Sequence, residues 1–240
     1  MHLHLTGQHV AVIGSSNGIG RAIAEGFLAE GCHVRGFDRA LPGTAVAFET
    51  TLGDVTSFEE LKAFAATFPA ISHVVFTVGV GSGKFGFPFW NLAPSDWARV
   101  LDINLIGAVN VAHAFAPGLI ARGAGSYLVL TSVAGQMGSQ TDPPYSAAKA
   151  GLINFMQCAA KDFAPHNIRV NALAPGLILG TSFHTTHTTA ESVRATVAGI
   201  PLGRGGSAAD VARAAVFLAG EFDGFITGAT LDINGGVYGS

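Results

Sequence analysis

The stretch His9-Val-Ala-Val-Ile-Gly14-Ser-Ser-Asn-Gly18-Ile-Gly20 decides the fold. A short apolar run, strand-like in composition, passes into three glycines spaced Gly-x3-Gly-x-Gly. A helical pattern follows at once, with Ile19, Ile23 and Phe27 four apart and Gly31 as a stop. A strand that turns through glycines into a helix is a seat for an anion. Backbone N–H groups and the helix N-terminus face the charge, and missing Cβ atoms let a pyrophosphate approach. In a chain with 32 glycines the spacing alone is weak, so its place between strand and helix carries the reading. Gly14, Ser16, Asn17, Gly18, Ile19 and Gly20 are the expected contacts to a dinucleotide.

Outward from this point, strand and helix alternate to the end of the chain. Strands are expected at 34–37, 45–48, 74–78, 127–131, 168–173 and 230–233. Helices are expected at 57–68, with Ser57 as N-cap and Glu60 in the capping-box position, at 145–163, and at 207–219 behind Ser207. A long helix runs from a cap at Ser95 or Asp96 to about Arg122, with Pro117 and Gly118 disturbing its end. No linker interrupts the alternation. It predicts an α/β, single-domain, doubly wound Rossmann fold over 1–240: a parallel seven-stranded sheet with helices on both faces. The poorly patterned, threonine-rich stretch at about 180–199 is the expected substrate lid.

Asp38 ends the second strand, about twenty residues beyond the glycines, where a carboxylate accepts hydrogen bonds from ribose hydroxyls and repels a 2′-phosphate. NAD is therefore expected over NADP, although the neighbouring Arg39 offers a cation to a 2′-phosphate.

Charged residues make up only 12% of the chain, against roughly 25% in an average soluble domain. No apolar run reaches the ~18 residues a membrane span needs, so no membrane is expected as a partner. The missing charge fits a sheet buried on both faces and surfaces covered by other subunits. Net charge is −3 without a basic cluster, which argues against nucleic acid as a partner. Cys32 and Cys158 lie in apolar segments far apart and read as two buried free thiols. The N-terminus lacks a basic region followed by an apolar core, so a cytoplasmic protein is expected.

The chemistry is concentrated between Ser132 and Lys149. Ser132 follows the apolar run 127–131. Tyr145 opens a helix, and Lys149, four residues on, shares its face. An ammonium beside a phenol favours the phenolate and lowers a pKa that starts near about 10, which suits a tyrosine for proton transfer. The chain has three tyrosines and four lysines, so Tyr-x3-Lys is a sharper filter than the glycines.

With these residues in hand, the sequence resembles the short-chain dehydrogenase/reductase family over nearly its whole length. The resemblance rests on Gly14-x3-Gly18-Ile-Gly20, Asp54-Val55, Asn104 in Asp-Ile-Asn-Leu-Ile-Gly, Ser132, Tyr145-x3-Lys149, Asn171-Ala-Leu-Ala-Pro175-Gly176 and a C-terminal Leu-Asp-Ile-Asn-Gly-Gly. It implies a hydride transfer between NAD and a secondary alcohol or ketone. Tyr145 would be the general acid/base, and Lys149 would depress its pKa and hold the nicotinamide ribose. Ser132 would hydrogen-bond the substrate oxygen, and Asn104 would hold a water linking Lys149 to solvent. Asp54 and Val55 would contact the adenine, and Ile178 the carboxamide. Pro175, Gly176, Val78 and Gly79 would also contact the cofactor. A homotetramer or homodimer is implied as well.

Two positions depart from the family pattern. Phe76-Thr77-Val78-Gly79 stands where Asn-Asn-Ala-Gly is usual, which puts the polar ties of that strand end in doubt. The threonine usual four residues past Pro-Gly is Gly180, with Thr181 one place later as a substitute.

Three segments would shape the substrate site: 79–90, 135–144 and 181–199. The first is aromatic (Phe85, Phe87, Phe89, Trp90) and suits either an apolar substrate or a subunit contact. His184 and His187 have a metal-pair spacing, but without a third ligand an exposed polar lid is the expectation, with no metal. Two rivals stand beside the NAD-dependent dehydrogenase. One is an NADPH-dependent carbonyl reductase of the 3-oxoacyl type. The other is a dinucleotide sensor without catalysis.

Overall fold

The computed structural model describes residues 2–139, 141–181, 189–220 and 224–239. It begins with β1 (His9–Ile13), which ends at the glycine turn and is followed by α1 (Gly18–Ala29). Then come β2 (His33–Asp38), β3 (Glu49–Leu52), α2 (Phe58–Ala65), β4 (His73–Phe76), α3 (Pro94–Leu101) and α4 (Gly107–Arg122). The second half supplies β5 (Gly125–Leu130), α5 (Val133–Met137), α6 (Pro143–Phe163), β6 (Ile168–Pro175), α7 (Ala190–Ala198), α8 (Ala208–Ala219) and β7 (Thr230–Ile233). All seven strands pair in parallel, in the order β3-β2-β1-β4-β5-β6-β7.

The doubly wound form follows from side-chain alternation along strands buried on both faces. In β1, Ala11 and Ile13 point into a core with Phe64, Val111, Phe115 and Met156, beneath α2, α4 and α6. Val10 and Val12 point the opposite way, onto Ile23, Phe27, Val211 and Ala215 of α1 and α8. The chain order reverses between β1 and β4, so the loops leaving their C-terminal ends part and open a crevice there.

Several expectations are corrected. The third strand is Glu49–Leu52 rather than 45–48. As the sheet's edge it has one neighbour and stays largely exposed, so it needs no apolar face; the apolar run before it sends Phe48 into the α1 core instead. Ser57 caps α2, but Glu60 does not close a capping box. Its Oε2 accepts from the Asp54 N–H at 2.8 Å, tying the helix to the loop before it. Asp96 lies inside α3 and accepts from the Ala93 N–H, with Pro94 starting the helix. The helix continues through Pro117 to Gly123, which takes φ 68, since Phe115 and Leu119 are buried on either side of the proline. A π-helical turn, Asp102–Ile106, joins α3 to α4.

The continuous span Pro94–Arg122 has an 18-residue window of mean hydropathy 1.5, long and apolar enough to cross a membrane by length and composition alone. The expectation that no segment reaches that length is therefore corrected. In this fold Val100, Ala108, Val111, Phe115 and Leu119 of that span are buried in the body of the protein. Both cysteines are free, but only Cys32 is buried; Cys158 is exposed on α6.

Candidate active site

The crevice is a cleft of about 700 Å³ at the C-terminal ends of the strands. Its first wall is the glycine turn. Gly14 adopts φ +93 and Gly18 φ +55, left-handed conformations that glycine enters without strain. Gly20 has a different reason: a Cβ there would stand 2.0 Å from the Gly14 carbonyl oxygen, so α1 can approach the strand end only without one. Thr77, the substitute for the usual asparagine, turns its hydroxyl toward the Ile13 and Gly14 carbonyls at 2.8 and 3.1 Å. It takes over the task of pinning the glycine turn to β4, and Phe76 is wholly buried in the core.

Asp38 stands across the turn. Its Oδ2 accepts from the Ser16 N–H at 2.8 Å and its Oδ1 from the Ala40 N–H at 3.3 Å. Each carboxylate oxygen accepts more than one bond, so acceptor capacity remains toward the cleft. Ser16 is buried, and its hydroxyl donates to the Ala40 carbonyl. It lies behind the cleft wall, where its N–H holds Asp38. Gly14, Asn17, Gly18, Ile19, Gly20, Asp38, Arg39, Asp54 and Val55 do line it. Asp54 accepts from the N–H and hydroxyl of Thr56, bonds that hold its carboxyl below the usual range. Glycine turn, strand-end carboxylate and the cleft they line together fit a dinucleotide.

The opposite part of the wall carries Val78, Gly79, Ser132, Tyr145, Lys149, Pro175, Gly176, Ile178 and Thr181. Thr181 is buried, and its hydroxyl donates to the Ile178 carbonyl at 3.1 Å. Ser132 is the N-cap of α5 and accepts from the Ala134 N–H at 3.2 Å. Asp142 caps α6, with Pro143 at its first position, and so sets Tyr145 in the first turn.

Lys149 is almost wholly buried. Its Nζ donates to the Leu130 carbonyl at 2.7 Å and the Val78 carbonyl at 3.3 Å, and burial pulls its pKa down to about 7. Burial likewise pushes the Tyr145 phenol up to about 12; a hydrogen bond with Ser132 opposes this and the Asp142 charge adds to it. The tyrosine shift is thus upward, against the lowering expected from Lys149. The ammonium is turned onto two carbonyls, and desolvation of the phenol dominates.

Asn104 sits in the π-helical turn, fully buried and outside the cleft wall. Its Oδ1 accepts from the Val80 N–H at 3.2 Å, and its Nδ2 donates to the carbonyls of Val80 (2.9 Å) and Val100 (2.8 Å). It fixes the backbone beyond Gly79. A Cβ on Gly79 would lie 3.5 Å from both Asn104 Oδ1 and Lys149 Nζ, so this glycine separates the two side chains.

From the two loops expected to shape the substrate site, Val80, Phe85, Thr141 and Asp142 also line the cleft. The Asp-Pro-Pro run ahead of Tyr145 was the signal for Asp142, being a helix-capping pattern. Of the aromatic loop, Phe85 reaches the cleft, whereas Phe87, Phe89 and Trp90 are exposed. No cluster of three or more His, Cys, Asp or Glu suited to a metal occurs among the described residues; His184 and His187 lie outside them.

The fold and cleft define a Rossmann oxidoreductase that uses a nicotinamide dinucleotide. The chain belongs to the short-chain dehydrogenase/reductase family: a family model described as Enoyl-(Acyl carrier protein) reductase matches residues 13–238. It is 34% identical to a short-chain type dehydrogenase/reductase, y4mP, of Sinorhizobium fredii, covering 93% of each chain. It is 33% identical to the 3-oxoacyl-(acyl-carrier-protein) reductase FabG of Vibrio harveyi, covering 98% of this chain and 99% of that one. Among solved structures it matches the aldohexose dehydrogenase AldT of Thermoplasma acidophilum with a TM-score of 0.90 and 28% identity, over 99% of this chain and 96% of that one.

Proposed function

We propose that the chain is an NAD-dependent dehydrogenase that interconverts a secondary alcohol and a ketone. The observation that carries this reading is the convergence of Ser132, Tyr145 and Lys149 on the same cleft as the Gly14–Gly20 turn. A bound dinucleotide supplies the hydride acceptor, and the chain supplies orientation and proton handling.

Ser132, presented at the start of α5, holds the substrate oxygen through its hydroxyl. Tyr145 takes the alcohol proton during oxidation and returns it during reduction. Lys149, brought down to about 7 by burial, exchanges a proton near neutral pH behind the phenol. Gly14, Gly18 and Gly20 with the N-terminus of α1 hold the pyrophosphate, and Asp54 and Val55 flank the adenine. Asp38 supports NAD over NADP: its carboxylate faces the adenosine end of the cleft with Arg39 beside it.

The FabG relative keeps a second reading alive, a reductase of 3-oxoacyl thioesters working with NADPH. Initial rates with NAD and NADP over a panel of secondary alcohols, and with NADH and NADPH on a 3-oxoacyl thioester, separate the two. Turnover of alcohols with NAD is the expected result. A preference for NADPH and the thioester would replace the first reading with the second.

A further inference from the structure

Asp142 carries no proton in the scheme above, yet among the described residues it is the acidic group of the substrate half of the cleft. It is 3% exposed. Its Oδ2 accepts from the Ser82 N–H at 2.8 Å, and its Oδ1 faces the Tyr145 N–H at 3.5 Å. A second bond, from the Gly86 N–H to the Thr141 carbonyl at 2.7 Å, runs beside the first. The loop 79–88 is therefore fastened to the start of the tyrosine helix at two points. Gly81 makes room for this: a Cβ there would stand 2.7 Å from Asp142 Oδ2.

The charged groups of the described cleft wall are Asp38, Arg39, Asp54, Asp142 and Lys149. The first three lie on β2 and the loop beyond β3, at the adenosine end. On the other side Lys149 spends its ammonium on the carbonyls of Leu130 and Val78. Two further cations approach the loop from α3 and from the loop itself but stay outside the wall. Arg99 donates to the Gly81 carbonyl, and Lys84 is paired with Asp96 at 2.7 Å. A carboxylate or phosphate on the substrate would thus meet the Asp142 charge with no described cation of the wall available to pair with it. A hydroxyl would meet an acceptor.

We propose that Asp142 is the positioning and selectivity residue of the substrate half, fastening the Ser82 loop to the Tyr145 helix and restricting the cleft to substrates without an anionic group beside the reacting carbon. Neutral alcohols bearing a neighbouring hydroxyl are the favoured class, and 2- or 3-hydroxy acids are turned away. This rests on the dehydrogenase reading. It also gives the negative charge on Asp142 a place three residues from the phenol, where it opposes ionisation of Tyr145; among the described residues, Ser132 and Lys149 also face the phenol.

Two measurements test it on the full-length enzyme. The first compares kcat/KM with NAD for 2,3-butanediol and for 3-hydroxybutyrate in wild type, Asp142→Asn and Asp142→Ala. Wild type should favour the diol at least tenfold. Asp142→Asn keeps an acceptor for Ser82 but no charge, and should narrow that ratio severalfold through KM for the acid. Preference for the acid in wild type, or an unchanged ratio in Asp142→Asn, overturns the proposal. The second needs no substrate: tyrosinate absorbance is titrated with pH, and the Tyr145 step is taken by difference from Tyr145→Phe. In Asp142→Asn the step should begin at lower pH, and an unmoved step overturns the proposal even if neither alcohol is turned over. Failure of the dehydrogenase reading looks different: wild type would then turn over no alcohol with NAD, while the effect of Asp142→Asn on the tyrosinate step would stand.

Discussion

Lys149 Nζ lies 5.6 Å from the centre of the Tyr145 ring, over its face, while its hydrogen bonds go to the carbonyls of Leu130 and Val78. The α6 spacing brings the pair together, and the strand ends set what the ammonium does. The cation is thus held behind the ring by β4 and β5.

In the proposed reaction the phenolic oxygen of Tyr145 is the group that meets the substrate. Tyr145→Phe keeps the ring over Lys149 and removes only the proton carrier. Turnover should fall by about 10² to 10⁴-fold, with the Kd for NAD, read by NADH fluorescence, within a factor of about three of wild type. Retained turnover would remove Tyr145 from its assigned role.

Asp38→Ala removes the acceptor at the adenosine end and also frees the Ser16 and Ala40 N–H groups. The ratio of kcat/KM for NAD over NADP should drop at least tenfold. Urea unfolding should show a loss of about 1–3 kcal/mol, the usual cost of removing a charged acceptor from partly buried donors. If NADP is already preferred by wild type, Arg39 rather than Asp38 governs the choice.

Thr77→Val is close in shape and removes the hydroxyl that reaches Ile13 and Gly14. We expect about 1 kcal/mol of lost stability and a KM for NAD raised severalfold at nearly constant kcat, since the glycine turn loosens while the Tyr145 end is untouched. A change in kcat alone would place Thr77 elsewhere in the cycle.

The sheet was legible because parallel strands buried on both faces read as short apolar runs, as β1, β4, β5 and β6 do, and six of the seven strands could be placed. The exception, β3, lies at the edge, where one neighbour and solvent remove the pressure for apolar residues; its Glu49-Thr50-Thr51-Leu52 carries no strand signal. That Ser132, Tyr145, Lys149 and most glycine-turn residues line one cleft was readable from spacing. Roles that depend on where a side chain turns were not: Ser16 faces inward to Asp38, Asn104 is bound to backbone, and Asp142 meets a loop about sixty residues away in sequence. Those contacts are set by packing of distant segments, and no local pattern encodes them.

Distant packing also produces the acid sensitivity expected of this fold. His73 is buried at the start of β4, with Nε2 at 2.7 Å from Gln8 Oε1 and Nδ1 at 2.8 Å from Ser126 Oγ. Gln8 donates its own amide to the His4 carbonyl, so its Oε1 accepts from Nε2–H and leaves Nδ1 to accept from the serine. The ring is therefore held neutral. Burial, then the charges of Arg169 and Arg122, pull its pKa down to about 3. The unfolded chain takes up a proton at about 6.5, well before the folded one does. This contribution to stability is complete above about pH 6.5 and is lost as pH falls toward 3, at up to about 1.4 kcal/mol per pH unit. His73→Gln should be less stable at pH 7 yet show a flatter decline between pH 6.5 and 4.5 in urea unfolding. Asp54, Asp96 and Asp210, whose carboxyls are held low by hydrogen bonds, add their own losses only at the acid end of the range. Equal slopes for wild type and His73→Gln above pH 4.5 would show that the buried imidazole is not what the acid attacks.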